Sequence, residues 1–279
     1  MSDNLTTGSV TKKLIAFALP VLGANFLQAL YGTVDLLIVG RFSDNAAVSA
    51  VSTGSMTMQT ITAVVTGLTM GSTILLGQNI GAKNYKRASN TIASSFVLFI
   101  IVGILLSFLV VVTAMPVSII MNAPEEALKF TAAYLRICGL GSIFIVFYNF
   151  ISGMFRGIGD SKTPLLLVGI SCVINIFGDL LLVKYFGMGA AGAAAATVFA
   201  QAVSVLFAAV SIGRKGLGFE VRKEELKFNF RELKLILKYG VPISAQELLT
   251  GVSFMVILAI LNSFGLVASA GVGVAEKLC

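Results

Sequence analysis

Histidine and tryptophan are absent from the 279 residues, cysteine occurs three times, and only 12% of the residues are charged. Cys138, Cys172 and Cys279 stand far apart in the chain. A zinc site needs clustered Cys or His ligands, and a disulfide framework needs at least four cysteines, so neither is expected. With no histidine and no cysteine cluster, the nucleophile–base pair of an intramembrane enzyme also lacks its usual components, and the chain is not expected to be an enzyme. The shortage of charge excludes more. A soluble globular domain carries roughly 25% charged residues, and half that supply cannot cover a folded surface in water. Without tryptophan, an interfacial aromatic belt has to come from Tyr and Phe, such as Tyr31, Tyr134, Tyr185 and Tyr239.

What is present is apolar: 57% of the residues are hydrophobic and the mean hydropathy is +0.94. No charge falls between Ala46 and Ala82, Ala88 and Pro124, Tyr185 and Gly213, or Leu248 and Ala275. A helix crosses a bilayer core with roughly 20 apolar residues, so each run is long enough to span. Inside hydrocarbon the backbone must pair its own N–H and C=O groups, as a helix or a closed barrel. Barrel strands alternate in polarity over about ten residues, and these runs do not alternate. Eight helical segments are expected, near Leu14–Gly40, Ala46–Gly77, Ile92–Met115, Ala127–Gly153, Pro164–Val183, Ala190–Ile212 and Ile236–Leu261, with the last starting near Leu266. The opening MSDNLTTGSV is polar and a full span follows it, so no cleavable signal peptide is expected.

The net charge of +7 has an explanation in topology. Fifteen Lys and Arg fall in connections on the side of the N-terminus, including Lys12, Lys83, Arg87, Arg156 and the stretch from Arg214 to Lys238; three, Arg41, Lys129 and Lys184, fall opposite. The positive-inside rule then puts the N-terminus of this multi-pass protein in the cytoplasm, at a plasma (inner) membrane. Nucleic acid is not needed as a partner. The polar segment EVRKEELKFNFRELKLILK reads as an amphipathic helix on the inner membrane face, or as a linker between two bundles. Small-residue runs such as GLTMG (Gly67 to Gly71) and GAAGAAAAT read as sites of close helix packing. Gly157 and Gly159 in RGIGD read as a turn.

The chain also resembles itself. The stretch from Leu14 to Phe42 and the one from Leu235 to Gly265 each combine a basic start, an early proline (Pro20, Pro242) and a glycine near the far end. Ser49 in AAVSAVSTG is echoed by Ser269 in LVASAGVG. An even number of helices separates the repeat starts, which makes the repeat parallel, with its axis along the membrane normal. The expected organisation is a first bundle over 1–212, a cytoplasmic linker with an amphipathic helix over 213–235, and the start of a second bundle over 236–279, truncated within the eighth helix.

ALPVLGANFLQALYGTVDLLIVGRF, RGIGDSKTP, INIFGDLLL and GMGAAGAAAATVFAQ occur in this order. They resemble the first helix, the fourth-to-fifth connection, and the fifth and sixth helices of multidrug and toxic compound extrusion (MATE) transporters. The resemblance implies an all-α integral membrane fold: a MATE-like six-helix N-terminal bundle plus about two helices of a second, parallel-repeat bundle. It implies cation-coupled efflux of small organic, often cationic, compounds, by alternating access between two lobes. Na⁺ or H⁺ would move inward, with no other cofactor and no obligate protein partner. The alternative within the wider superfamily is a flippase for lipid-linked oligosaccharides, which would want basic residues in its cleft.

Three acids lie well within predicted spans: Asp35, Asp179 and Glu247. Each costs roughly 2.5–3.5 kcal/mol at mid-membrane on insertion scales, so a purely structural helix would avoid them. Asn175 lies one helical turn before Asp179 on the same face, and Thr197 lies on the following helix. Carboxylate, amide and hydroxyl oxygens together suit a hard cation such as Na⁺, or a proton held by a buried acid. The resemblance places Asp35, Asn175, Asp179 and Thr197 at an N-lobe cation or proton site, and Glu247 at a second coupling site. Pro20 removes a backbone hydrogen bond and can kink its helix, and the resemblance implies that this bending is coupled to Asp35. Gln28, Tyr31 and Phe150 are the expected contributors to the substrate cleft.

Overall fold

In the computed structural model, which describes residues 9–217, 227–265, 269 and 271, every regular element is helical. The order is α1 (Val10–Phe42), α2 (Asn45–Gly81), α3 (Tyr85–Ile120), α4 (Glu125–Leu140), α5 (Ser142–Gly157), α6 (Lys162–Asp179), α7 (Gly189–Lys215) and α8 (Phe230–Asn262). A π-helical turn, Leu180–Tyr185, continues α6. Short polar side chains set several of the starts. Asp44 accepts the Ala47 N–H at 2.8 Å ahead of α2, and Asn84 accepts the Arg87 N–H at 3.2 Å ahead of α3. In RGIGD, Gly159 takes φ +85°, which suits a residue without Cβ. Asp160 then accepts the N–H groups of Lys162 and Thr163, each at 3.0 Å, where α6 begins.

Among the described residues six helices are long and apolar enough to cross a membrane, and α4 with α5 makes a seventh span, bent by 54°. α2, with 37 residues, is about 55 Å long at roughly 1.5 Å per residue. That exceeds the ~30 Å hydrocarbon core, so its ends reach the headgroups. Large apolar side chains such as Phe26, Leu105, Phe108, Phe177 and Phe254 stand exposed on the outer faces. In water these would form adhesive patches; in lipid they are solvated. The chain is a multi-pass membrane protein.

The stretch Ala127–Gly153, expected as one segment, is bent at Gly141, where α4 gives way to α5. Two neighbouring helices close in at the break. A Cβ on Gly139 would lie 3.0 Å from the side chains of Val110 and Val111, and one on Gly141 would collide with Val198. Of the expected amphipathic helix, residues 218–226 lie outside the described residues, and from Phe230 the segment is the first part of the long α8. Glu232 and Ile236 are buried there against the bundle.

α2 is the central element, in contact with α4, α5 and α8, while α6 packs on α1 and α7. One apolar cluster, around Val39, Val51 and Leu135, fills the end near the α1–α2 and α3–α4 connections. Another, around Phe99, Phe150 and Leu167, fills the end near the α2–α3 and α5–α6 connections. The α2–α8 seam explains GLTMG. A Cβ on Gly67 would lie 2.7 Å from the Ser244 backbone, and one on Gly240 would lie 2.7 Å from the Leu68 carbonyl. Hydroxyls on α2 satisfy themselves locally: Thr57, Thr60 and Thr69 each donate to the carbonyl four residues back. Near the far end of this seam the Ser49 and Ser269 hydroxyls, matching positions of the repeat, bond to each other.

Candidate functional site

Between the two apolar clusters the helices leave a cavity of about 740 Å³, lined from the middle of α1, α2, α4, α5, α7 and α8. Among the described residues, Asp35 and Glu247 are its charged lining, and neither Lys nor Arg contributes. The rest of the polar lining is neutral, with the amides Gln28, Gln59, Asn149 and Gln201 prominent.

The predicted residues fall into three groups. Asp35, Thr197, Glu247, Gln28 and Tyr31 all face this cavity. Asp179 and Asn175 do not line it, but stand behind it on one face of α6, fully buried at 0% and 1% exposure. Asn175 Nδ2 donates to Thr197 Oγ1 at 3.3 Å, which joins the buried layer to the wall. The Asp179 carboxyl lies beside Asp35, so the two acids, from different helices, form a pair at the back of the cavity. Both Asp179 carboxyl oxygens and Asn175 Oδ1 are buried without a protein donor. Unpaired carboxylate oxygens in a dry interior are costly, and two adjacent carboxylates repel. A proton or a small cation among them resolves both problems. The backbone changes character at the same point, since the π-helical turn begins immediately after Asp179; such turns shift the hydrogen-bond ladder and recur at functional sites.

Pro20 lies within the unbroken α1, some four turns from Asp35 at ~3.6 residues per turn. Phe150 is a correction. It does not line the cavity, but is 4% exposed and stacked on Phe99 with ring centroids 5.1 Å apart. Helix α5 turns Asn149 to the cavity and its next residue to the core.

Several lining residues escaped the sequence reading, Gln201 and Asn149 among them. Gln201 is 6% exposed, with Oε1 unpartnered. Its signal was a polar residue one turn after Thr197 in an apolar run. Asn149 Oδ1 accepts from Thr66 Oγ1 at 3.1 Å, and its Nδ2 donates to the Ile145 carbonyl at 2.8 Å. Its signal was an amide in the otherwise aromatic FYNF.

Comparisons with known proteins agree with this architecture. A family model described as MatE matches residues 20–181. A probable multidrug resistance protein of Bacillus subtilis, YpnP, is 29% identical over 99% of this chain and 61% of its own length. A solved structure of an inward-facing multidrug resistance MATE family transporter of the MOP superfamily is 26% identical, covers 90% of this chain and 57% of its own, and has a TM-score of 0.78. A crystal structure of a MATE point mutant is also 26% identical, with a TM-score of 0.82 over 98% of this chain and 60% of its own. The chain thus spans about three-fifths of the length of the curated relatives it matches. With the family model matching over half of its residues, and the helices in the same arrangement, the chain belongs to the MATE family of transporters.

Proposed function

We propose that this chain forms the first bundle, and the helix after it, of a cation-coupled exporter of small organic cations, with its N-terminus in the cytoplasm of a plasma (inner) membrane. The observation that carries the reading is the charge of the cavity: among the described residues its charged lining consists of the acids Asp35 and Glu247, with no basic residue beside them. A cationic compound is attracted to such a lining. The headgroup of a lipid-linked oligosaccharide, with its pyrophosphate, is repelled, which favours export over the flippase reading.

The coupling step follows from the buried layer. Asp35 reaches the cavity while Asp179 and Asn175 stand behind it, so Na⁺ or H⁺ held among Asp35, Asn175, Asp179 and Thr197 is in electrostatic contact with a cavity-bound cation. Both are positive, and only one is well accommodated at a time. That competition is what an antiporter requires: entry of the coupling ion weakens the hold on substrate, and release of the ion restores it. Glu247, on the opposite wall, contributes to substrate attraction and is the candidate second coupling position. Gln28 and Tyr31 supply polar and aromatic contact.

Ethidium efflux from vesicles carrying the full-length protein, with Na⁺ and H⁺ gradients imposed one at a time, tests the reading. Efflux driven by one of the two gradients is expected. Equal efflux with and without either gradient would contradict it.

A further inference from the structure

Away from the cavity, a charged cluster sits at the basic end of the molecule, where α2 ends and α3 and α8 begin. Glu232, in the first turn of α8, has a side chain 2% exposed, against 39% for its partner Arg87 in the first turn of α3. Arg87 Nε donates to Glu232 Oε1 at 2.8 Å, and a terminal guanidinium nitrogen lies 2.8 Å from the same oxygen. The Thr91 hydroxyl lies 3.3 Å from Glu232 Oε2 and accepts from Asn79 Nδ2 at 3.0 Å, which brings α2 into the network. Just before α8, the Asn229 N–H donates to Ser94 Oγ at 2.9 Å.

The other end of α8 is held differently. There Asn262 Nδ2 donates to the Met121 carbonyl at 2.8 Å and to Thr53 Oγ1 at 3.2 Å. Bonds between neutral groups can be exchanged for water one at a time. A buried carboxylate cannot be half-released: it is either docked on its guanidinium or fully hydrated, and positions between leave a bare charge in a dry site. Between these ends α8 touches α2 backbone to backbone at Gly67, Gly71 and Gly240, a contact with no side chain to compress. The basic end therefore has a charged contact that is made or lost as a unit, beside a close backbone approach.

We infer that Arg87 and Glu232 form a tie between the first bundle and the first helix of the second, which holds the basic end of the cavity closed and parts when that end opens. Thr91 and Asn79 position the pair. The inference rests on the alternating-access reading above, and adds to it a contact that sets the balance between the two openings.

The test is a pair of spin labels on the full-length protein in nanodiscs, at the exposed positions Lys162 and Lys234, with distances read by double electron–electron resonance. Glu232→Gln and Arg87→Gln should each shift the ratio of short to long distances roughly tenfold toward long, as for a two-state equilibrium that loses a state-specific contact. The charge-reversed pair, Arg87→Glu with Glu232→Arg, leaves no buried charge unpaired and covers the case in which a single variant fails to fold. Return of the short population in it supports the tie, whereas a population as open as in the single variants overturns it. Distances unchanged in both single variants, with or without a lower melting temperature, would make the pair a static staple and also overturn it. Since distances are read with no substrate or gradient, tie-dependent distances in a protein that does not transport would retire the exporter reading alone. Gradient-driven efflux with tie-independent distances would retire the tie alone.

Discussion

Asn175 shows how much of the site is decided by single atoms. Its amide nitrogen is committed to Thr197, and its oxygen is buried without a partner, where we propose that it serves the coupling ion as a neutral ligand. Asn175→Ala removes that ligand while leaving both acids in place. Loss of one such buried contact costs about 1–3 kcal/mol, roughly 5- to 150-fold in ion affinity. The variant should need a correspondingly higher Na⁺ concentration, or a lower pH if H⁺ is the ion, to reach half-maximal efflux; an unshifted midpoint would remove Asn175 from the site. The acids and Asn175 were legible in the sequence because charge and amide groups within apolar runs are conspicuous. Gln201 and Asn149 were less so, because nothing in spacing alone says which face of a helix a cavity adjoins. Phe150 went the other way, since an aromatic residue suits a drug cleft and a packed core equally, and only the position of Phe99 decides between them.

The spans themselves were readable because hydrocarbon leaves the backbone almost no alternative to helix, and the charged connections mark where each helix leaves the membrane. What could not be read were departures from a straight helix. The bend at Gly141 comes from the approach of Val110, Val111 and Val198, tertiary neighbours that no local pattern announces. Nothing in the residues of Leu180–Tyr185 signals the π-helical turn. The fate of Glu232 was equally hidden, because an amphipathic stretch on a membrane surface and the charged first turns of a packed helix have the same composition. The close packing of GLTMG was foreseeable, and it supplies a prediction for the element. Gly67→Val must push the Ser244 backbone away, an overpacking cost of about 1–3 kcal/mol. The detergent-solubilised protein should melt at a lower temperature, and an unchanged melting point would mean that α8 does not lie on α2 as described. For α1, Pro20→Ala restores the missing hydrogen-bond donor and stiffens the helix. We predict retained ion binding, measured by isothermal titration, with weaker efflux; normal efflux at normal expression would show that bending at Pro20 is not part of transport.

In the molecule as a whole, the polar middle and the apolar ends of the bundle have separate tasks. The apolar clusters at either end hold the helices together, and the space between them is where a charge can be placed within the membrane. Such a placement is unfavourable unless a counter-charge is present, and on that ground we propose the Asp35–Asp179 pair and the acidic cavity as a site for cations. The repeat, with Ser49 meeting its counterpart Ser269, leads us to expect a second bundle that completes the cavity in the full-length protein, and transport is predicted to require both. In the proposed mechanism the coupling ion acts through Asp35. The measurement that tests it most directly is ethidium efflux from vesicles carrying full-length wild type or Asp35→Asn, under the one ion gradient that drives the wild type. Asp35→Asn should keep its fold and its place in the membrane but lose gradient-driven efflux. Efflux at the wild-type rate, with the same dependence on the gradient, would contradict it.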